Sequence, residues 1–139
     1  MVPINFVSVL WAAVAAFVLG FLFHGPVAGK LWMRLANIHP TGKEKFADMI
    51  PQLLYNFVVN FVTALVMAGS FRLIFSSPVV GPATWLSGAF LGVWFWLGFL
   101  VTSSSIEVIW MGRSYKLWLF EATCQFVIMA TMGAILAVW

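Results

Sequence analysis

The sequence predicts an all-α integral membrane protein with four transmembrane helices. Of its 139 residues, 63% are hydrophobic and only 8% are charged, whereas ordinary soluble domains have roughly 45–50% apolar and about 25% charged residues. The mean hydropathy of +1.04 agrees with this. So little polar surface excludes a soluble enzyme, a disordered tail and a nucleic-acid-binding domain. The length fits one domain, with about 20 residues in each span.

The first span is the uncharged apolar run of residues 4–23, about 30 Å long as a helix. No basic residue precedes it and it has full spanning length, so we predict a retained helix rather than a signal peptide. The residues His24-Gly25-Pro26 end it. Residues 27–38 then place Lys30 and Arg34 one turn apart among apolar side chains, which is typical of a short helix in the headgroup layer. An extension of the first span is the alternative.

Three more spans follow the most polar stretch of the chain, residues 43–48. The predicted spans are residues 50–71, 85–106 and 115–138, separated by the loops 76–84 and 107–114. Pro51 fits the first turn of the second span, where a proline costs little. The loop 76–84 contains two prolines and a glycine, which favour a turn over a helix.

The basic residues are divided unequally between the two sides that four spans create. Six of the seven lie in the connections between spans one and two and between spans three and four, and only Arg72 lies on the other side. The six are Lys30, Arg34, Lys43, Lys45, Arg113 and Lys116. Because cytoplasmic loops carry the excess of Lys and Arg, we predict that both connections are cytoplasmic and that both termini lie outside. The net charge of +3 reflects this bias.

Polar side chains within the spans gather near the predicted cytoplasmic side. Each costs free energy in lipid unless it is paired or hydrated. On span two they recur every three or four residues, which places them on one face of the helix. The candidate solute- or proton-binding residues are His24, Gln52, Asn56, Asn60, Glu107, Glu121 and Gln125, with the hydroxyls of residues 102–105 beside them. We predict one polar cluster contributed by four helices.

Glu121 is the most informative member of this cluster. It lies about one and a half turns inside the membrane boundary, where a carboxylate costs on the order of 2–3 kcal/mol. One interpretation is a proton- or cation-handling site. The other is a packing contact, made by a hydrogen bond or an ion pair with Lys116, Arg113 or Lys30. For Glu107, solvation or pairing with Arg113 is the simpler interpretation, as are water contact for the histidine and interhelical hydrogen bonds for the asparagines.

No catalytic motif is recognisable in the sequence. It has no HExxH, paired histidines or GxSxG arrangement, and its single cysteine, Cys124, excludes an intrachain disulfide. We therefore assign no catalytic or metal-binding residues and disfavour an enzyme. The candidate headgroup-binding residues are Lys30, Arg34, Arg113 and Lys116, which a lipid-modifying enzyme would also need.

Small residues predict where helices approach each other closely. Ala12, Ala16 and Gly20 recur every four positions on the first span, and Gly88 and Gly92 do so on the third. Contacts within one chain and contacts between copies both fit these faces. Because four short helices enclose little volume, we expect a pore or pocket at an oligomer interface instead. We predict no cofactor, although the 14 phenylalanines and 8 tryptophans offer a surface for lipid, quinone or pigment.

Three segments resemble a known family and keep their order and spacing. They are FLFHGPVAGKLWMRL (21–35), GVWFWLGFLVTSSS (92–105) and MGAILAVW (132–139). They resemble the small prokaryotic membrane proteins of the domain-of-unknown-function 1761 family over essentially the entire chain. The resemblance implies a four-span membrane protein and brings no established activity. His24 departs from it, since an aromatic residue is expected there.

Two functional hypotheses of different classes follow. The first is a small homo-oligomeric inner-membrane protein whose polar cluster binds or passes a small solute, a proton or a lipid headgroup. The second is an accessory subunit, packed on a larger respiratory, photosynthetic or transport complex and without chemistry of its own. The first predicts that Glu121 matters to ligand binding, whereas the second predicts that the small-residue faces matter to assembly.

Overall fold

The computed structural model describes residues 4–43 and 45–139, which form a bundle of helices. The helices are α1 (Phe6–His24), α2 (Gly29–Leu35), α3 (Phe46–Phe75), α4 (Trp85–Phe95), α5 (Thr102–Met111) and α6 (Tyr115–Val138). A π-helical segment, Trp96–Val101, joins α4 to α5. Residues 1–3 and Glu44 lie outside this description, so the predicted polar stretch 43–48 is described only in part. Among the described residues, α1, α3, the continuous stretch Trp85–Met111 and α6 are long and apolar enough to cross a membrane, which confirms the predicted fold class.

Side-chain caps determine where three of the spanning helices begin. The side chain of Asn5 accepts two backbone N–H groups from the first turn of α1, so the apolar run becomes helical at Phe6. Thr84 and Ser87 form a reciprocal capping box at the start of α4, and Ser114 accepts one N–H group from the first turn of α6. These bonds satisfy donors that have no partner within the helix.

The second spanning helix begins earlier than the predicted residue 50. Because α3 begins at Phe46, Pro51 lies in its second turn rather than its first. A proline there removes one backbone hydrogen bond, to the carbonyl of Ala47. The helix tolerates this because both residues are exposed and the carbonyl lies in the first turn, within reach of solvent.

The third spanning helix continues beyond the predicted residue 106. It runs through the π-helical segment and α5 to Met111, so the predicted connection 107–114 shortens to residues 112–114. Gly112 ends α5 with φ +66°, a left-handed conformation that glycine adopts without steric cost. The short turn holds α5 and α6 beside each other.

The packed core occupies one half of the bundle. The central helix is α6, which packs against α4 and α1, while α3 packs mainly on α1. The core consists of Val9, Ala12, Ala13 and Ala16 from α1, Ala64, Met67 and Phe71 from α3, and Ile128, Met129, Met132 and Leu136 from α6. These residues come from the first three turns of α1 and the second halves of α3 and α6, so the core lies away from the connections that carry the six basic residues.

We call the end of the bundle that carries Lys30, Arg34, Lys43, Lys45, Arg113 and Lys116 the basic end. Here the helices separate. In the described part of the chain, α5 packs against α6 and the π-helical segment but has no contact with α1 or α3. The bundle is therefore closed in one half and open at the basic end.

Glycines bring α4 and α6 into direct backbone contact. A Cβ atom at Gly88 would lie 2.2 Å from the carbonyl oxygen of Gly133, and one at Gly92 would lie 2.1 Å from that of Met129. On α1, Ala12 and Ala16 are fully buried in the core, and a Cβ atom at Gly20 would touch Ile128 of α6. The small-residue faces are thus occupied by contacts within one chain.

Candidate functional site

A cavity of about 440 Å³ opens between the separated helices at the basic end. It is lined by one residue of α1, one of α3, five of the π-helical segment and α5, and four of α6. These residues are His24, Asn56, Trp96, Leu100, Val101, Ser103, Ser104, Trp118, Glu121, Ala122 and Gln125. Four spanning helices therefore bring polar side chains to one place, in one chain, whereas the sequence favoured a pocket between copies. The volume exists because α5 leaves α1 and α3.

Glu121 is held by an arginine that also holds a second carboxylate. Of the two terminal guanidinium nitrogens of Arg113, Nη1 donates to Glu107 of α5 and Nη2 donates to Glu121 of α6. The side chains of Arg113 and Glu121 are 29% and 28% exposed, so the group is partly shielded from solvent. Two carboxylates and one guanidinium leave one net negative charge. Glu121 reaches the cavity, whereas Glu107 is not among its lining residues.

Two tryptophans that the sequence did not select as site residues form part of the cavity wall. The indole N–H of Trp96 donates to the backbone carbonyl of Ala122 at 2.8 Å, and that of Trp118 donates to Ser104 Oγ at 2.9 Å. Both bonds tie the third spanning helix to α6. A shielded indole N–H needs an acceptor. In the sequence, the need of a tryptophan within a span for such an acceptor was the one indication that these tryptophans face other helices rather than lipid.

Hydroxyl groups stabilise the π-helical segment within the membrane. Thr102 Oγ1 donates to the carbonyl of Gly98 at 2.7 Å, Ser104 Oγ donates to that of Leu100 at 2.6 Å, and Ser103 donates to that of Phe99. Irregular turns are tolerated in lipid where such side chains satisfy the backbone. Because π-helical turns often occur at functional sites, the position of this segment beside the cavity is consistent with a functional role for the cavity.

His24 lies at the cavity's edge with a defined tautomer. Its Nδ1 lies 2.9 Å from the carbonyl oxygen of Gly20, and because a carbonyl only accepts, Nδ1 carries the hydrogen. The ring makes edge-to-face contacts with Trp32 of α2 and Phe120 of α6. In the described part of the chain, Nε2 makes no hydrogen bond. His24 therefore fixes the end of α1 and leaves one ring nitrogen uncommitted.

The polar face of the second span contributes one lining residue instead of three. Asn56 lines the cavity, and Asn60 Nδ2 donates to Asn56 Oδ1 at 2.7 Å. The amide of Gln52, in its better orientation, donates to backbone carbonyls of its own helix. Thr63 also bonds its own helix, at the carbonyl of Val59. Gln52 and Asn60 are not among the cavity-lining residues, and their amides bond to groups of their own helix.

The four candidate headgroup-binding residues divide into two kinds. Lys30, Arg34 and Lys116 are exposed, and α2 is a short helix over Gly29–Leu35, within the predicted 27–38. Arg113 differs from these three because both of its terminal nitrogens, Nη1 and Nη2, contact carboxylates. In this structure Arg113 therefore links α5 to α6 through these two carboxylates.

A second, apolar groove lies between α1 and α6 in the closed half. It is lined by Trp11, Val14, Ala15, Val18, Leu19, Thr131, Ile135 and Trp139. The described residues contain no group of three or more His, Cys, Asp or Glu side chains that could hold a metal ion, and Cys124 is buried. The polar cavity, by contrast with this groove, brings together varied hydrogen-bonding groups, as small-molecule sites require.

Comparison with protein families gives one match over nearly the whole chain. Residues 7–137 match the model of DUF1761, described as a protein of unknown function. Searches of curated proteins and of solved structures gave no match. The matched region contains every helix except the first residue of α1 and the last of α6. The chain therefore belongs to the DUF1761 family.

Proposed function

We propose that this protein is a membrane-embedded binding protein for a small polar solute, which it takes up at the basic end. One observation carries the proposal. Four spanning helices build a cavity of about 440 Å³ whose wall combines a carboxylate, two amides, hydroxyls and indole rings. Ligand cavities in proteins have volumes of roughly 300–1,000 Å³ and a few polar groups that orient the ligand.

Binding is better supported than passage through the bundle. Beyond the cavity, toward the opposite end, the core side chains Ala16, Met67 and Met132 are at most 1% exposed. Such close packing in the described core opposes the passage of a solute. In this proposal Glu121 recognises the solute and does not relay protons across the membrane.

The orientation follows from charge. We propose an inner-membrane location with the basic end in the cytoplasm and both termini outside, because six of the seven basic residues lie at that end. The cavity would then exchange its solute with the cytoplasm. The lining residues named above all belong to one chain, so the proposal does not depend on the predicted homo-oligomer.

The test is a substitution that fills the cavity with a larger apolar side chain and leaves its polar side chains unchanged. Ala122 lines the cavity, whereas its neighbour Thr123 is exposed and does not. We expect native mass spectrometry of protein purified from its own host to detect a bound small molecule on the parent chain and on Thr123→Phe, but not on Ala122→Phe. The same bound mass on all three proteins would contradict the proposal.

The accessory-subunit hypothesis has less support. It relied on the small-residue faces as contact surfaces for a partner, and Gly88 and Gly92 are occupied by α6 of the same chain. The many exposed apolar side chains do not favour it either, because any membrane protein presents such a surface to lipid.

A further inference from the structure

We propose that the solute is an organic cation, with an amine or a quaternary ammonium group seated against Glu121. This inference rests on the proposed function and specifies the chemical class of the ligand. It follows from the charge of the wall, from the hydrogen-bonding groups that remain unused, and from the cavity's size.

The charge of the site is negative although the protein's net charge is +3. Glu121 is the one formally charged side chain among the lining residues. Its partner Arg113 is shared with Glu107, so this guanidinium does not neutralise both carboxylates. The other described basic side chains make no ion pair with this group. A positively charged ligand would supply the missing charge in a partly shielded place, where charge interactions are stronger than in water.

The wall also has more unused acceptors than donors. The indole N–H groups of Trp96 and Trp118 already donate hydrogen bonds to acceptors on other helices. The hydroxyl groups of Ser103 and Ser104 already donate hydrogen bonds to backbone carbonyls. His24 donates its Nδ1 hydrogen to Gly20. The tryptophans therefore present aromatic rings to a ligand, and the serines and the histidine present lone pairs that can accept hydrogen bonds. Among these lining groups, only the amides of Asn56 and Gln125 retain N–H donors for a ligand.

Such a wall suits a ligand that brings its own positive charge and its own donors. An ammonium group interacts with carboxylates, with acceptor oxygens and with aromatic rings. A cavity of about 440 Å³ is far larger than a bare metal ion needs, and it admits a compact organic cation. An anionic solute would instead face Glu121 without a free cation in the wall.

The test compares three probes of similar shape and different charge on purified protein in a neutral detergent. They are choline, its uncharged analogue 3,3-dimethylbutan-1-ol, and the anion 3,3-dimethylbutanoate. We expect calorimetry to detect binding of choline, weaker binding of the alcohol and none of the anion. Glu121→Gln should weaken choline binding about 10- to 100-fold, the range for a lost charge-assisted hydrogen bond.

Asp48→Asn is the matched control because it removes an exposed carboxylate in the first turn of α3, outside the cavity wall. It should weaken choline binding by no more than about threefold, as a charge change outside the wall. Glu121→Asp keeps the charge and should keep the preference for the cation. The thermal unfolding of each variant without probe shows whether it is folded.

The outcomes separate the two proposals. Equal binding of choline and the alcohol, lost in Ala122→Phe but not in Glu121→Gln, would overturn the cation inference and keep the cavity as a binding site. Preference for the anion would overturn it as well. If none of the probes binds and the parent chain carries no bound small molecule, both proposals fail.

An ammonium group can come from a soluble amine or from a lipid headgroup, and nanodiscs distinguish the two sources. Phosphatidylethanolamine retained in native mass spectra by the parent chain and lost in Glu121→Gln, with phosphatidylglycerol retained equally by both, would identify the lipid source. Binding of choline without such retention would identify a soluble amine.

Discussion

Arg113 has a larger role than its place in a short loop suggests. It follows Gly112 in the turn between α5 and α6 and contacts one carboxylate from each of these helices. From the sequence, Glu107 and Glu121 each had Arg113 as a possible partner, in separate alternatives. The structure combines both pairs on one guanidinium, whose planar fork suits two carboxylates. Glu121 is thereby fixed at the cavity wall.

Arg113→Gln should lower the free energy of unfolding by about 1–3 kcal/mol, between the values for exposed and buried ion pairs. The substitution leaves two carboxylates without a counter-charge at the membrane boundary. Unfolding by a denaturing detergent, followed by circular dichroism, measures the change.

Two further variants test the cause. Arg113→Lys keeps the charge but loses the fork, so it should be less destabilising than Arg113→Gln. The double variant Arg113→Gln with Glu121→Gln should recover part of the loss, because it removes an unpaired carboxylate. No recovery would mean that the arginine acts through packing and not through its charge.

At the scale of elements, one helix combines a rigid part and an irregular part. In α4, Gly88 and Gly92 let the backbone lie against α6. The π-helical segment then follows, and α5 departs from the rest of the bundle. In the 18-residue apolar segment of this stretch only 6% of the residues are buried, compared with 33% in that of α6. The cavity forms where the close glycine contact ends.

Gly92→Ala should destabilise the bundle, while Gly98→Ala on the same stretch should not. A Cβ atom at Gly92 would lie 2.1 Å from the carbonyl oxygen of Met129, so α4 and α6 would have to separate. Overpacking of this kind typically costs about 1–3 kcal/mol. A Cβ atom at Gly98 meets nothing within 4 Å, so that variant should be neutral. Thermal unfolding of both variants in the same detergent measures the difference.

Equal stability of the two variants would contradict this account of the α4–α6 contact. A change in oligomeric state with Gly92→Ala, at unchanged stability of the single chain, would instead indicate that the glycine face serves contacts between copies.

At the scale of the whole molecule, the two ends differ in packing and in charge. The closed half contains the described core and the Trp11–Trp139 ring contact, whereas the basic end contains the cavity and six of the seven basic residues. The cavity therefore lies at the end that carries most of the basic residues, which we propose faces the cytoplasm.

Introduced cysteines test this orientation in whole cells. Gly81→Cys lies in the exposed loop between α3 and α4, and Lys116→Cys lies at the exposed start of α6. We expect a membrane-impermeant maleimide to label the first in intact spheroplasts and the second only after the membrane is permeabilised. The parent chain is the control, because Cys124 is buried. The reverse pattern would place the cavity outside the cell.

The sequence by itself determined the features that depend on composition and local pattern. Apolar runs of about 20 residues between charged or proline-containing stretches predicted the four spans, because lipid requires continuous apolar helix. The same reasoning brought His24, Asn56, Glu121 and Gln125 to one end of the bundle. Periodicity could not tell which polar residues of α3 face the cavity, since Gln52 and Asn60 share the face of Asn56.

Only the tertiary structure decided which groups meet. The departure of α5 from α1 and α3 creates the cavity, and it depends on packing between residues far apart in the chain. The shared guanidinium of Arg113, the indole bonds of Trp96 and Trp118, and the pairing of Gly88 with Gly133 depend on the same packing. A linear pattern reports which side of a helix is polar or small, but the partner on that side is set by how the helices cross.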